Sequence, residues 1–193
     1  QLCRLGDILQ TTPMLRGLRR QHPDAHVTLM LLDGFGRAPV PPHLYDALVL
    51  FPFDLVSGLT TAVPSRWQEA LDAVRSFLRS IGDEPFDRTL NVTSSHVSNL
   101  LAALIPSRHV QGGIIAPDRT RVVRGPWMTY FWSSLQSRAH GCINIVDLFT
   151  WMAGVQADRR GLEVDVPADA RDRMRAWLRD QHVSVGPDSD VGQ

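Results

Sequence analysis

Lysine is absent: every one of the 20 basic residues is arginine. Any basic site must therefore act through planar guanidinium groups, which suit bidentate binding of phosphate and carboxylate. Net charge is absent too, because 20 basic and 20 acidic side chains cancel. That removes the global positive field expected of a nucleic-acid-binding protein and leaves only local basic patches. Cysteine is scarce. Cys3 and Cys142 are the only two. They lie far apart and outside any CxxC or Cys/His cluster, which excludes a disulfide framework and a zinc site and fits a reducing, cytoplasmic setting. No apolar run reaches the ~20 residues that span a bilayer, and no basic stretch with an apolar core opens the chain. The G-x-G-x-x-G of a dinucleotide site is missing from the first strand-to-helix turn, which argues against an epimerase-like enzyme. No cofactor and no metal site is expected.

What remains is 193 residues, 44% of them hydrophobic, enough for one sizeable core. The expected organisation is one domain over 1–182, with 183–193 as the start of a linker. The chain begins at Gln1 without Met and ends in the polar stretch Val185 to Gln193, so both ends are expected to be cut from something longer.

Periodicity supplies the elements. Ile8, Leu9, Met14, Leu15 and Leu18 share one helical face over Ile8 to Gln21, after a short apolar start read as a strand. His26 to Leu32 is a near-continuous apolar run, as a strand buried on both faces would be. Trp67, Ala70, Leu71, Val74, Phe77, Leu78 and Ile81 mark a helix over Arg66 to Ile81 that Gly82 can close. Phe86 to Val92 reads as a strand, then a helix to Leu104 with Thr93, Ser94 or Ser95 as its cap, then a strand over His109 to Ile115. Helices over Pro126 to Gln136 and Ile143 to Met152 follow. The reading ends with a short strand over Leu162 to Val166 and a helix over Ala168 to Gln181 with Ala170, Met174, Trp177 and Leu178 inward. This alternation predicts an α/β fold with a doubly wound, mostly parallel sheet.

The richest segment is Arg4-Leu5-Gly6-Asp7-Ile8, followed by Gln10-Thr11-Thr12-Pro13. It sets a glycine and a carboxylate where a strand gives way to a helix, the crevice edge of an open parallel sheet. Near a helix N-terminus Asp7 is stabilised as the anion and can take a proton from a hydroxyl; helix capping is the plainer reading. Thr11 and Thr12 lie one turn on, able to line the same pocket or to back-bond to the helix. Ser94, Ser95 and His96 at a second strand end can contact ligand hydroxyls or cap a helix. Arg119, Arg121 and Arg124 form a basic cluster, read as a loop, that can hold a phosphorylated acceptor or simply be solvated. Trp127, Met128, Tyr130, Phe131, Trp132 and Leu135 follow. They suit core packing first and peripheral contact with the inner membrane face second.

Arg4-Leu5-Gly6-Asp7-Ile8, Thr12-Pro13 and His22-Pro23-Asp24-Ala25 resemble the opening of family 9 glycosyltransferases, which include the lipopolysaccharide heptosyltransferases. Phe86 to Ser95, then Leu100-Leu101-Ala102 and Val110-Gln111-Gly112, are similar to a second strand, serine turn and helix of that family. The resemblance runs in register over roughly residues 1 to 182. It implies the N-terminal, acceptor-side half of a GT-B enzyme with two Rossmann-like domains, inverting transfer, and Asp7 as general base. Gly6, Thr11, Thr12, Ser94, Ser95, His96, Arg119 and Arg121 are then the acceptor-side candidates. The implied partners are a nucleotide sugar, ADP-heptose, held by the other half, and a glycolipid or oligosaccharide acceptor of the cell envelope. Without that half, the chain is expected to turn over nothing. The rival reading is a non-catalytic glycan-binding module of the same fold.

Overall fold

Pro13 decides how the chain begins. The computed structural model describes residues 4–62, 66–136, 141–156, 158 and 160–183, without the side chains of 59–62 and 136; Cys3 and the expected linker beyond Val183 lie outside them. Where the spacing predicts one helix, there are two, α1 (Leu5–Leu9) and α2 (Thr12–Gln21). Proline has no N–H to give the carbonyl four residues back. The Leu9 carbonyl accepts the Thr12 hydroxyl instead, at 2.8 Å, while the Thr11 hydroxyl donates to the Ile8 carbonyl at 2.6 Å. Pro13 then occupies the first turn of α2, where no donor is needed.

Strand β1 (Thr28–Leu32) pairs in parallel with β2 (Ala47–Phe51), Thr28 opposite Ala47. Helices α3 (Phe53–Ala62) and α4 (Trp67–Ile81) follow. Strand β3 (Phe86–Asn91) pairs in parallel with β4 (Ser107–Ile115) across α5 (His96–Leu104). A tight turn then sends the chain back as β5 (Arg121–Arg124), antiparallel to β4. Helices α6 (Pro126–Gln136), α7 (Ile145–Ala153) and α8 (Ala168–Asp180) complete the order. The result is a mixed α/β domain with parallel strands. The described strands form two sheets, β1-β2 and β3-β4-β5, where one continuous sheet was expected. Strands β2 and β5 and helix α3 were not expected.

Strand ends show a common direction. A cavity of about 110 Å³ is lined by Leu32 at the end of β1, Phe53 just past β2, and Ser95 and Val97 just past β3. The C-terminal ends of β1, β2 and β3 therefore meet at one rim. Side chains alternate along β1: Leu29 and Leu31 join a core with Met14, Leu15 and Phe149, while Met30 and Leu32 join a second with Phe51, Phe77 and Leu101. Period-two alternation puts these cores on opposite faces of the sheet.

Two expectations at the C-terminal end fail for physical reasons. Leu162 to Val166 alternates like a strand but is not one. The Glu163 N–H donates to the Thr12 hydroxyl and the Asp165 N–H to the Pro39 carbonyl, so both donors go to non-strand acceptors. Arg16 fastens the same segment. It holds Asp158 through two nitrogens, Glu163 through a third contact at 2.8 Å, and the carbonyls of Arg160 and Gly161. Helix α8 has the expected span, and of its four expected inward residues Ala170 and Leu178 are half-buried, while Met174 and Trp177 are 55% and 57% exposed.

A buried amide junction locks β3, β4 and α5 together. The Asn91 side-chain NH2 donates to the Asn99 side-chain oxygen (3.0 Å) and to the Gly113 carbonyl (2.7 Å), while its own oxygen accepts the Thr93 N–H. Glycine is required beside it. Gly112 has φ +112°, and a Cβ there would stand 2.1 Å from the Asn91 carbonyl oxygen.

We expect Gly112→Ala to cost at least about 2 kcal/mol, since strain and overlap combine, read as a lowered urea midpoint. The Arg16 contact has a pH signature. Hydrogen bonding to Arg16, foremost, holds the Asp158 carboxyl below its ordinary value. A depressed folded-state value means that the stability is present above the unfolded aspartate value and lost as pH falls below about 4, through the folded value. Asp158→Asn should therefore lower the urea midpoint at pH 7, with the difference shrinking as pH falls below about 4.

Candidate functional site

The rim at which the strands end is the edge where open parallel sheets bind ligands, because the turns there expose helix N-termini and are free to vary. Two of the sequence candidates lie in such turns. Val92 and Thr93 leave β3 buried, and Ser94 and Ser95 are half-buried. Ser95 caps α5, its hydroxyl accepting the Ser98 N–H at 3.1 Å. The Ser98 hydroxyl donates back to the Thr93 and Ser95 carbonyls. The turn is thus rigid, with Asn91 holding it from below. His96, the first residue of α5, is exposed.

Asp7 is half-buried and stands in the first turn of α1. It does not cap that helix. Arg4 occupies the cap position with an extended backbone and no side-chain cap bond. Among the described residues the Asp7 carboxylate makes no hydrogen bond and no ion pair. Gly6 beside it has no steric need to be glycine, since a Cβ there would meet nothing within 4 Å. Its neighbour Ile8 is fully buried in the same core as Val92, which opens the serine turn. No bond joins Asp7 to Ser94, Ser95 or His96 among the described residues.

Thr11 and Thr12 are fully buried, their hydroxyls given to the Ile8 and Leu9 carbonyls, and Thr12 accepts from Glu163. They hold the α1–α2 turn beneath Asp7 and face no solvent. The expected arginine loop is not one loop. Arg119 sits in the β4–β5 turn with φ +68°, and that turn is tied by Asp118, which accepts both the N–H and the hydroxyl of Thr120. Arg121 and Arg124 lie on β5, where an odd spacing of three sends their side chains to opposite faces. Arg121 stacks over the Trp132 ring at 4.5 Å.

The aromatic helix packs as core first. Met128 is buried, Phe131 meets Phe149 edge-on at 6.3 Å, and the Trp127–Trp151 pair, 4.6 Å apart, reaches the surface. No helix among the described residues is long and apolar enough to cross a membrane. Nor do any three His, Cys, Asp or Glu side chains among them converge as a metal site would require. Sequence reasoning missed Asn91 and Asn99 as the support of the serine turn, although Asn91 ends the strand motif and Gly112-Gly113 signalled close backbone approach. It also missed Arg16, an inconspicuous polar position on α2.

No protein-family model matches the chain, and no curated protein matches it in sequence. A solved structure does. The crystal structure of the glycosyl transferase family 9 protein from Veillonella parvula superposes with a TM-score of 0.62 at 16% identity, over 95% of this chain and 49% of that one. At that identity the likeness concerns the fold: the chain spans about half the length of the glycosyltransferase it matches and has the fold of one half of it.

Proposed function

We propose that this chain is the N-terminal, acceptor-side half of an inverting family 9 glycosyltransferase, Rossmann-like and part of a GT-B pair, with Asp7 as general base. The observation that carries the reading is the Gly6-Asp7 pair. Glycine inside a helix costs about 0.5–1 kcal/mol relative to alanine, and here neither backbone angle nor packing requires it. A half-buried carboxylate without a partner among the described residues stands next to it. An aspartate in a first helical turn is favourable by itself, whereas close approach of a sugar hydroxyl gives both residues a use, because the hydroxyl becomes nucleophilic as a positioned base removes its proton.

Ser94 and His96 stay available for acceptor hydroxyls, Ser95 holds their turn, and Thr11 and Thr12 fix the turn under Asp7. Arg119, on an exposed tight turn, and Arg124, exposed on β5, are left to reach a phosphorylated acceptor; Arg121, stacked on Trp132, is the weaker candidate. The finer reading is heptose transfer from ADP-heptose, held by the second half, to a lipopolysaccharide-core acceptor at the cytoplasmic side of the inner membrane.

Full-length protein, ADP-heptose and heptose-deficient lipopolysaccharide core test this. Asp7→Asn keeps the shape and removes the base, so nucleotide release should drop by roughly 100-fold or more with an unchanged melting curve. Equal rates would return Asp7 to a structural role. Acceptor binding without nucleotide release in either protein would favour the non-catalytic glycan-binding module. Gly6→Ala should behave oppositely on two axes, gaining up to about 1 kcal/mol of stability and losing turnover through a raised KM. Unchanged kinetics would remove Gly6 from the site.

A further inference from the structure

Strand β2 has an open edge. Among the described residues it pairs as a strand only with β1. The Ala47 N–H donates to the Val27 carbonyl at 3.3 Å. By alternation the backbone groups of Ala47, Val49 and Phe51 face β1, and those of Leu48 and Leu50 point outward. An open edge is a template for another strand, and proteins ordinarily blunt one with charge or proline. The edge strand of the other sheet is blunted in this way: β5 begins and ends in exposed arginines, Arg121 and Arg124. Strand β2 is not. It reads Ala47-Leu48-Val49-Leu50-Phe51, with neither charge nor proline, and Leu48 and Leu50 are 36% and 39% exposed.

The sequence of the strand selects the partner. Leu48-Val49-Leu50 reads the same in both directions, and a two-fold axis sets an antiparallel strand against its own reversal. Centred on Val49, that register puts Leu48 opposite Leu50 of a second copy, Ala47 opposite Phe51, and Val49 opposite itself. Every opposed pair is apolar. The Leu48 and Leu50 N–H and C=O groups already point outward, so each leucine exchanges both backbone hydrogen bonds with its opposite number. The flanking carboxylate, Asp46, falls opposite Pro52 and meets no like charge. Pro52 has no N–H to extend the ladder, so it closes the pairing at both ends. The leucine side chains of the two copies gather on one face of the joined sheet. Helices α3 and α4 cover the other face through Phe53, Val56 and Phe77.

We propose that β2 pairs antiparallel with β2 of a second copy about an axis at Val49, giving a homodimer with one sheet running through both chains. The axis turns the rim of one copy away from that of the other. The candidate sites then open at opposite ends of the dimer, and neither is covered. This assembly stands whether or not the rim carries the activity proposed above.

Sedimentation equilibrium of the full-length protein at roughly 50 µM tests the state of association, and substitutions test the register. A dimer is expected. Leu48→Pro removes an outward N–H and leaves the bonds to β1 in place, so self-association should weaken at least about 10-fold. Leu48→Lys should do the same by bringing charge to the edge. With Cys3 and Cys142 replaced by serine, Val49→Cys should give a covalent dimer under mild oxidation. Opposed residues of a non-hydrogen-bonded pair stand about 4.5 Å apart, within disulfide reach. Ala47→Cys, set against Phe51, should not crosslink. A monomeric wild type overturns the proposal, and so does a dimer that Leu48→Lys leaves unchanged. Failure of Val49→Cys to crosslink, or equal crosslinking of Ala47→Cys, overturns the register. If Leu48→Pro does not fold, Leu48→Lys and the cysteine variants decide.

Discussion

Parallel pairing constrains everything else in this molecule. Two parallel strands cannot be joined by a hairpin, so the chain must leave the sheet, cross one face and return. The crossover from β1 to β2 runs through the Asp33–Phe35 and Pro42–Leu44 turns, and that from β3 to β4 runs through α5. β1, β2 and β3 therefore end on the same rim and open there into turns. Three such ends surround the small cavity bounded by Leu32, Phe53, Ser95 and Val97. Catalytic or binding groups need a rigid support and freedom to vary, and these turns have both.

The support is visible under the serine turn. Asn91 is buried, and its amide bonds to α5, to β4 and to the Thr93 N–H at once. A buried amide is stabilising only when its bonds are made, so this junction admits one arrangement of strand, turn and helix. Gly112 and Gly113 are its steric condition: a Cβ on the second would stand 2.3 Å from the Asn99 side-chain oxygen. Arg16 does comparable work elsewhere, tying the strap around Asp158 and Glu163 to α2, and the Glu163 carboxylate also lies 2.8 Å from His43 Nε2. The strap and α2 are thereby fixed as one body below the α1–α2 turn.

Much of this was legible in the sequence, and the misses have particular causes. Helices α4 and α6 were legible because burial imprints a 3.6-residue period, and the Ser95 cap because a serine preceded that period. Strand β2 was missed because its burial alternates and prolines flank its neighbourhood; β5 because four residues bounded by arginines carry almost no period. The break at Gln10 depends on one absent N–H, at Pro13. Helix α8 is the instructive failure. Amphipathicity says that Met174 and Trp177 would gain from cover, but periodicity contains no information about what covers them. Leu162, Val164 and Val166 alternate like a strand, yet hydrogen-bond acceptors far away in sequence, Thr12 and Pro39, claimed the backbone.

Each half of the candidate site, Gly6-Asp7 and Ser94 to His96, could be proposed from the sequence because its residues are contiguous, whereas the support beneath them is not. Residue type alone could not rank the candidates, since serine, threonine and aspartate are also the common residues of helix ends. The structure ranks them by what each group already does. Thr11 and Thr12 have given their hydroxyls to backbone carbonyls, Ser95 has given its own to a cap, and Arg121 lies on Trp132. A group committed in this way must break a bond before it can meet a ligand, and in a buried setting that costs on the order of 1–3 kcal/mol. Asp7, Ser94 and His96 carry no such commitment among the described residues, and Gly6 has none to carry. Asp7 differs further from the other two: it is a carboxylate, so it is the one of the three proposed to accept a proton.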